Sequence, residues 1–245
     1  MLQELTVTPN DLDKDVNWLS DLSAKLKQSL LKLSTSHILK RDEHLKLQRL
    51  TESGANYVKC GTVVVTMQSP NTKAVNNMVF GTGDWFGNPL PAKYSYLPFQ
   101  TAIWEEIEVL HFDNQKIALL ADKDVEVYKW LYYMSTDASP KWLQAQLLGA
   151  ESKEIRVVHM LFELALHNDE GVSRLYLPIS QQLLSDMVGI SRQRVNEVLV
   201  ALQSSGCLEL GRNSIKLTDI GQLASMLNSA DLNFRDPRNK LIGLL

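Results

Sequence analysis

Between Ile179 and Gly206 the chain reads ISQQLLSDMVGISRQRVNEVLVALQSSG. Two apolar-periodic runs stand either side of one glycine, and this spacing restricts the local fold more tightly than any other part of the sequence. Leu183, Leu184, Met187 and Val188 recur at the three- and four-residue intervals of a helix, and Val195, Val198, Leu199 and Leu202 repeat the pattern after the break. Gly189 supplies a permissive turn residue, and Ser191 is a good N-cap because its hydroxyl accepts from an otherwise unpaired helix-start N–H. The second helix then turns Gln193, Asn196, Glu197 and Val200 outward, with Arg192 and Arg194 flanking its first turn. Two short helices joined in this way form a helix-turn-helix, whose second helix enters a DNA major groove by its N-terminal end. Arginine there pairs with guanine O6 and N7, glutamine or asparagine pairs with adenine, and the Ser191 hydroxyl and helix-start amides suit a phosphate.

A helical hairpin with a solvated polar face would show the same periodicity, so the residues that follow decide the reading. SSGCLELGRNSIKLTDIGQLASM gives two short strands, CLEL and SIKL, joined by GRN and followed by a turn into another helix. A hairpin after a helix-turn-helix makes the winged form, with Arg212 at the tip within reach of backbone phosphate. Leu177-Pro178 fits a short strand and a turn into the first helix. The formal net charge is -3, yet Met1–Gly171 holds 17 Lys+Arg against 22 Asp+Glu, and Val172–Leu245 holds 8 against 6. The sign changes where the pattern changes, as expected of a DNA reader carried on an acidic body.

Upstream, the first 50 residues read as helices, with Leu19, Leu22, Leu26 and Leu30 on one face. From about Leu45 to Asp113 short runs such as YVKCGTVVVTM and TAIWEEIEVLHF, separated by SG, SPN, GTGD and NPLP, predict a small β sandwich or roll. Helical texture returns after Asp113 and persists to about His167. Val127, Leu131 and Met134 form one stripe, and Pro140 marks either a kink or the first turn of a new segment after Ser139. These segments divide the chain into 1–113, 114–171 and 172–245. Cys60 and Cys207 are too few for a disulfide framework and have no metal-knuckle spacing. His37 and His44, seven apart, could share a helical face, whereas His111, His159 and His167 are scattered; no metal site and no cofactor are expected. GTGDWFG completes neither phosphate-loop pattern and reads as a turn. Asp84, Glu105 and Glu106 form no nucleophile-base-acid set, so an enzyme is not expected. With no secretory leader and no long apolar stretch, the expected location is cytoplasmic, off the membrane.

The order of these segments resembles the cyclic-AMP receptor protein and fumarate-nitrate regulator superfamily of bacterial transcription factors. LPISQQLLSDMVGISRQRVNEVLVALQSSGCLEL carries the stronger likeness, and YVKCGTVVV and VFGTGDWFG carry a looser one. The resemblance implies an α+β fold: an N-terminal cyclic-nucleotide-binding-like β roll, a long dimerisation helix and a C-terminal winged helix-turn-helix. It implies a homodimer on double-stranded DNA, with RNA polymerase and a small-molecule effector as further partners. Ser180, Gln182 and Ser191 fall where the family contacts phosphate, Arg192 and Gln193 where it reads bases, and Arg194 and Asn196 lie on the same face. Gln193 replaces a frequent Glu, which favours adenine over cytosine. Glu197 stands where better-known members carry Arg, so either it points at a cytosine or the helix inserts at another angle.

The implied ligand loop, Gly87, Asn88, Lys93, Gln100 and Thr101, departs from the family further. Asn88 stands where a ribose-binding Glu is expected and Gln100 where a phosphate-binding Arg is expected, while Pro89 and Pro91 disfavour the short helix between them. A neutral Gln cannot form the charged bidentate pair, so cyclic nucleotides are not the expected effector unless Lys93 supplies the charge. One cysteine before residue 200 cannot hold an iron-sulfur cluster, and haem would need His37, His44 or His111 as ligands. The alternatives are a winged helix used for protein contact and a true cyclic-nucleotide-responsive regulator.

Overall fold

The computed structural model describes residues 16–67, 76–90, 99–103, 105–168 and 174–244. Two antiparallel sheets form the N-terminal roll. The larger contains β1 (Ser34–Leu39), β2 (Gly54–Cys60), β5 (Trp85–Gly87) and β7 (Ile107–Asp113) in the order β1-β7-β2-β5. The smaller contains β3 (Val63–Met67), β4 (Asn76–Phe80) and β6 (Phe99–Ile103) in the order β4-β3-β6.

Period-two alternation sorts these strands into layers. Val58, Ile107 and Val109 of the larger sheet face Val63, Val65, Met78, Phe80 and Ile103 of the smaller one across a shared core. Their neighbours Ala55, Tyr57, Leu110 and Phe112 point the other way, onto α1 (Ala24–Leu33), α3 (Asn114–Ala121) and the first half of α4 (Glu126–Leu148). Trp18, Trp85, Phe112 and Trp130 close that layer with ring centroids 5.2–6.4 Å apart. Aromatic pairs at such separations add about 0.5–1.5 kcal/mol each beyond their burial.

The helical reading of the first 50 residues needs two corrections. Ser34–Leu39 is strand β1, because its backbone pairs with β7 from Ser34↔Phe112 to Leu39↔Ile107 and that pairing overrides local periodicity. Leu19 and Leu22 precede α1, the first helix among the described residues, which begins after the Ser23 cap; Ser23 Oγ accepts from Leu26 N–H at 3.2 Å. His37 therefore lies on β1 and His44 opens α2 (His44–Ser53), with no shared helical face; His37 stands beside His111 instead, ring centroids 6.1 Å apart.

Helix α4 runs 23 residues and carries Pro140 within it. No new segment begins there. Ser139 Oγ donates to Ser135 O at 2.6 Å in the turn where proline brings no N–H. After α4 come α5 (Lys153–His167), β8 (Tyr176–Leu177), α6 (Gln181–Val188), α7 (Arg192–Ser204), the hairpin β9 (Leu208–Gly211) and β10 (Ser214–Leu217), α8 (Ile220–Met226) and α9 (Pro237–Ile242). Strands β8, β10 and β9 pair in that order.

Residues of α5 through α9 share one core, and Val64 and Val79 from the outer face of the smaller sheet belong to it. The C-terminal head is therefore packed on the roll. The contact is close at Gly81, where a Cβ would stand 2.2 Å from His167 Nδ1, and Thr62 Oγ1 donates to His167 O at 3.0 Å. Helix α5, assigned from sequence to the connecting region, buries Val157, Leu161, Phe162 and Leu164 in the head. The boundary drawn after residue 171 lies outside the described residues. Among the described residues no helix is long and apolar enough to cross a membrane.

Candidate nucleic-acid interface

Both helices of the turn are capped as their serines dictate. Ser180 Oγ accepts from Leu183 N–H at 3.2 Å and Ser191 Oγ from Arg194 N–H at 3.4 Å. Gly189 ends α6 at φ 71°, ψ 31°, its N–H donating to Ser185 O at 2.9 Å. A side chain in this left-handed conformation costs roughly 1–2 kcal/mol, so the glycine sets the angle between the helices. Val195, Val198, Leu199 and Leu202 are at most 4% exposed, which leaves Arg192, Gln193, Arg194, Asn196, Glu197 and Val200 on the outer face of α7.

The wing completes this surface. Ser180, Gln182 and Arg192 meet Arg212 and Asn213 of the β9–β10 turn around one groove of about 390 Å³. Asn213 holds the tip at φ 57°, a conformation asparagine tolerates better than most side chains. The Gln182 amide donates to Asp186 Oδ1 at 2.9 Å, which orients it from within α6. Gln193, Arg194 and Asn196 continue the surface along α7, whereas Ser191 borders a second groove, together with Arg192, against Gln100 and Thr101 of the roll.

Glu197 has an explanation that the sequence did not show. Its carboxylate meets Lys153 Nζ, in the first turn of α5, at 2.7 Å. That hydrogen bond, and then the ammonium charge, hold the carboxyl below its ordinary range. No local signal links two residues 44 apart. The pairing compensates a negative charge on the outer face of α7 without requiring a cytosine or a changed helix angle.

Of the implied ligand loop, Gly87, Asn88, Gln100 and Thr101 are described. Gly87 adopts φ 109°, and a Cβ there would stand 2.3 Å from Gly54 O. Asn88 N–H bridges Thr51 O and Gly54 O at 3.0 and 2.9 Å, fastening the segment to α2. Thr101 Oγ1 donates to His44 O at 3.0 Å. Gln100 is exposed on the groove beside α6, and Lys93 and Pro91 lie outside the described residues. Gly87 instead borders a cavity of about 290 Å³ between the roll and α4, walled by Met78, Phe80, Phe86, Leu131, Met134 and Trp142. Leu131, Met134, Ala138 and Trp142 recur at spacings of three and four, so the α4 wall was legible as an extension of the stripe noted from sequence. Its partner wall on the sheet was not.

Residues 155–226 match the family model described as the Crp-like helix-turn-helix domain. Among solved structures, a transcriptional regulator of the Crp/Fnr family from Eubacterium rectale is similar, at TM-score 0.66 and 16% identity over 85% of this chain and 96% of that one. FixK2 from Bradyrhizobium japonicum matches at TM-score 0.59 and 19% identity, covering 78% of this chain and 96% of that one. CLP from Xanthomonas campestris, described as a c-di-GMP-responsive global regulator, matches at 0.59 and 20%, covering 80% and 100%. The chain has the Crp/Fnr regulator fold. A search of curated proteins finds no significant match.

The Crp-like domain begins at 155 and so includes most of α5, in agreement with the packing of that helix into the head. Among the described residues no group of three or more His, Cys, Asp or Glu side chains is placed to hold a metal.

Proposed function

We propose that this protein is a sequence-specific transcriptional regulator that binds double-stranded DNA as a homodimer. The observation that carries this reading is the groove shared by Ser180, Gln182, Arg192 and Arg212, continued by the outward polar face of α7. In this reading, Ser180, Gln182, Ser191 and Arg212 contact phosphate, while Arg192, Gln193, Arg194 and Asn196 face base edges. Binding selected from a random-site library tests the idea. Arg192→Ala should lose roughly 1–3 kcal/mol per half-site and flatten discrimination at one base position, whereas Arg212→Ala should weaken all sequences alike. Equal affinity for all sequences in the unaltered protein would defeat the reading.

Helix α4 supports pairing with a second copy, because Val125, Tyr128, Tyr132 and Leu143 are 82, 53, 64 and 46% exposed. Symmetric pairing would set two recognition helices about 34 Å apart on one DNA face. Light scattering that gives a monomer mass with and without DNA would refute it. The cavity between α4 and the roll supports an effector that is small and largely apolar, with Ser135 and Ser139 as its polar handles. Neither Asn88 nor Gln100 lines that cavity, and calorimetry with cyclic AMP and cyclic GMP should give no saturable heat. A micromolar dissociation constant for either would overturn this part.

A further inference from the structure

Where β4, α4, α5 and the C-terminal tail meet there is a second, narrower cavity of about 50 Å³. About 10–15 Å³ of such space holds one water, so this one admits a few waters or a four-oxygen anion and excludes a nucleotide. Asn77 Oδ1 and His159 Nε2 are buried here without a hydrogen bond, and the buried Lys141 Nζ is paired with Asp84. Both unpartnered atoms face one small space. Buried polar atoms rarely lack partners, and such a concentration points to a missing guest.

The fixed charges say what kind. Lys141 meets Asp84 at 2.6 Å, and Arg235 takes both oxygens of Glu163 at 2.7 and 2.9 Å. Arg156 also borders the cavity and has no carboxylate partner among the described residues; its Nη2 donates to Val188 O at 2.6 Å. The cavity's own lining carries Lys141, Arg156 and Arg235 against Glu163, while the neighbouring carboxylates Asp84 and Asp236 are engaged by Lys141 and Arg238. The Asn77 amide can present its N–H₂ by a flip, and His159 donates from Nε2 in one tautomer. Lys141 keeps further N–H groups. All three positions can donate into a cavity lined by three cations and one carboxylate. A metal cation would be repelled there.

We propose that this cavity binds a small oxyanion of the phosphate class, held by Lys141, His159, Asn77 and Arg156. Burial depresses the basicity of Lys141, His159 and Arg156, and an anion among them offsets that penalty. Because Arg156 also grips Val188, the last residue of α6, a bound anion ties the helix-turn-helix to the roll.

Calorimetric titration of sodium phosphate into the full chain, in chloride at matched ionic strength, tests the site. One saturable site per chain is expected, weakened about tenfold or more by Lys141→Gln and by His159→Phe, and retained when Arg192 and Arg212 are both replaced by Ala. No saturable heat would overturn the proposal and leave the cavity to water. So would heat that survives both cavity substitutions, or heat that is lost with Arg192 and Arg212, which would move the phosphate to the DNA groove. Should Lys141→Gln fail to fold because Asp84 is stranded, His159→Phe alone decides.

Discussion

Replacing Arg235 by Met should destabilise the protein far more than removal of an ordinary ion pair. Glu163 sits inside α5 at 5% exposure, and both its oxygens accept from one guanidinium. Burial alone pushes the Glu163 carboxyl up, but hydrogen bonds from His167 and Arg235, then the Arg235 charge, hold it well below its ordinary range. Methionine keeps much of the apolar stem and strands a buried carboxylate, a change that costs about 3–5 kcal/mol. At about 2–4 °C per kcal/mol for a chain of this size, Tm should fall by roughly 6–20 °C. The exposed pair Lys216–Glu209, 53 and 64% exposed, should yield less than about 1 kcal/mol by the same measurement. The pH dependence has a definite sign. In the native protein the depressed Glu163 pKa contributes stability above the unfolded-state value near 4.5, lost as pH falls through the folded one. In the variant the His167 contact remains but the guanidinium no longer offsets burial, and protonation relieves the carboxylate, so the stability gap should narrow on acidification from pH 7 towards pH 4. Joint replacement of Glu163 and Arg235 by Met should recover most of the loss. A single variant within about 1 kcal/mol of the parent in urea unfolding at pH 7, or a double variant as weak as the single, would refute the reasoning.

Gly189→Val places a β-branched residue at φ 71° and should cost at least about 1–2 kcal/mol in chemical denaturation while weakening DNA binding, with Gly189→Asn milder on both counts. His111 is buried, and burial first, then the charge of His37, lower its pKa to about 4. The unfolded chain then binds the proton more readily, so stability should be full above pH 6.5 and fall by up to about 1.4 kcal/mol per unit towards pH 4. His111→Gln should flatten that slope, and an unchanged slope would reject the assignment.

The helix-turn-helix was legible because its information is local. Gly189, Ser191 and the stripe from Val195 to Leu202 each specify geometry within one turn of themselves, and the winged hairpin follows from residues spaced by only a few positions. The roll was legible as a class from its short β-branched runs, but β1 was not: STSHIL has a strand's chemistry only once β7 lies beside it. The same limit hid the Lys153–Glu197 and Glu163–Arg235 pairs, whose partners lie 44 and 72 residues apart and meet only through tertiary packing. For the implied ligand loop, the sequence did not show that the Asn88 backbone is tied to Thr51 and Gly54, or that Gln100 of edge strand β6 faces a groove beside α6.

Strand β4 acts as a lever one residue thick. Met78 and Phe80 wall the apolar cavity, and Val79 between them is part of the head's core. Adjacent residues on a strand cannot be displaced independently, so a molecule that pushes Met78 and Phe80 outward must press Val79 against the base of the C-terminal head. The signal would then travel through the thickness of a single strand and need no hinge. Val79→Ala should leave effector affinity intact and reduce the effector's influence on DNA binding; an undiminished influence would show that the message takes another route.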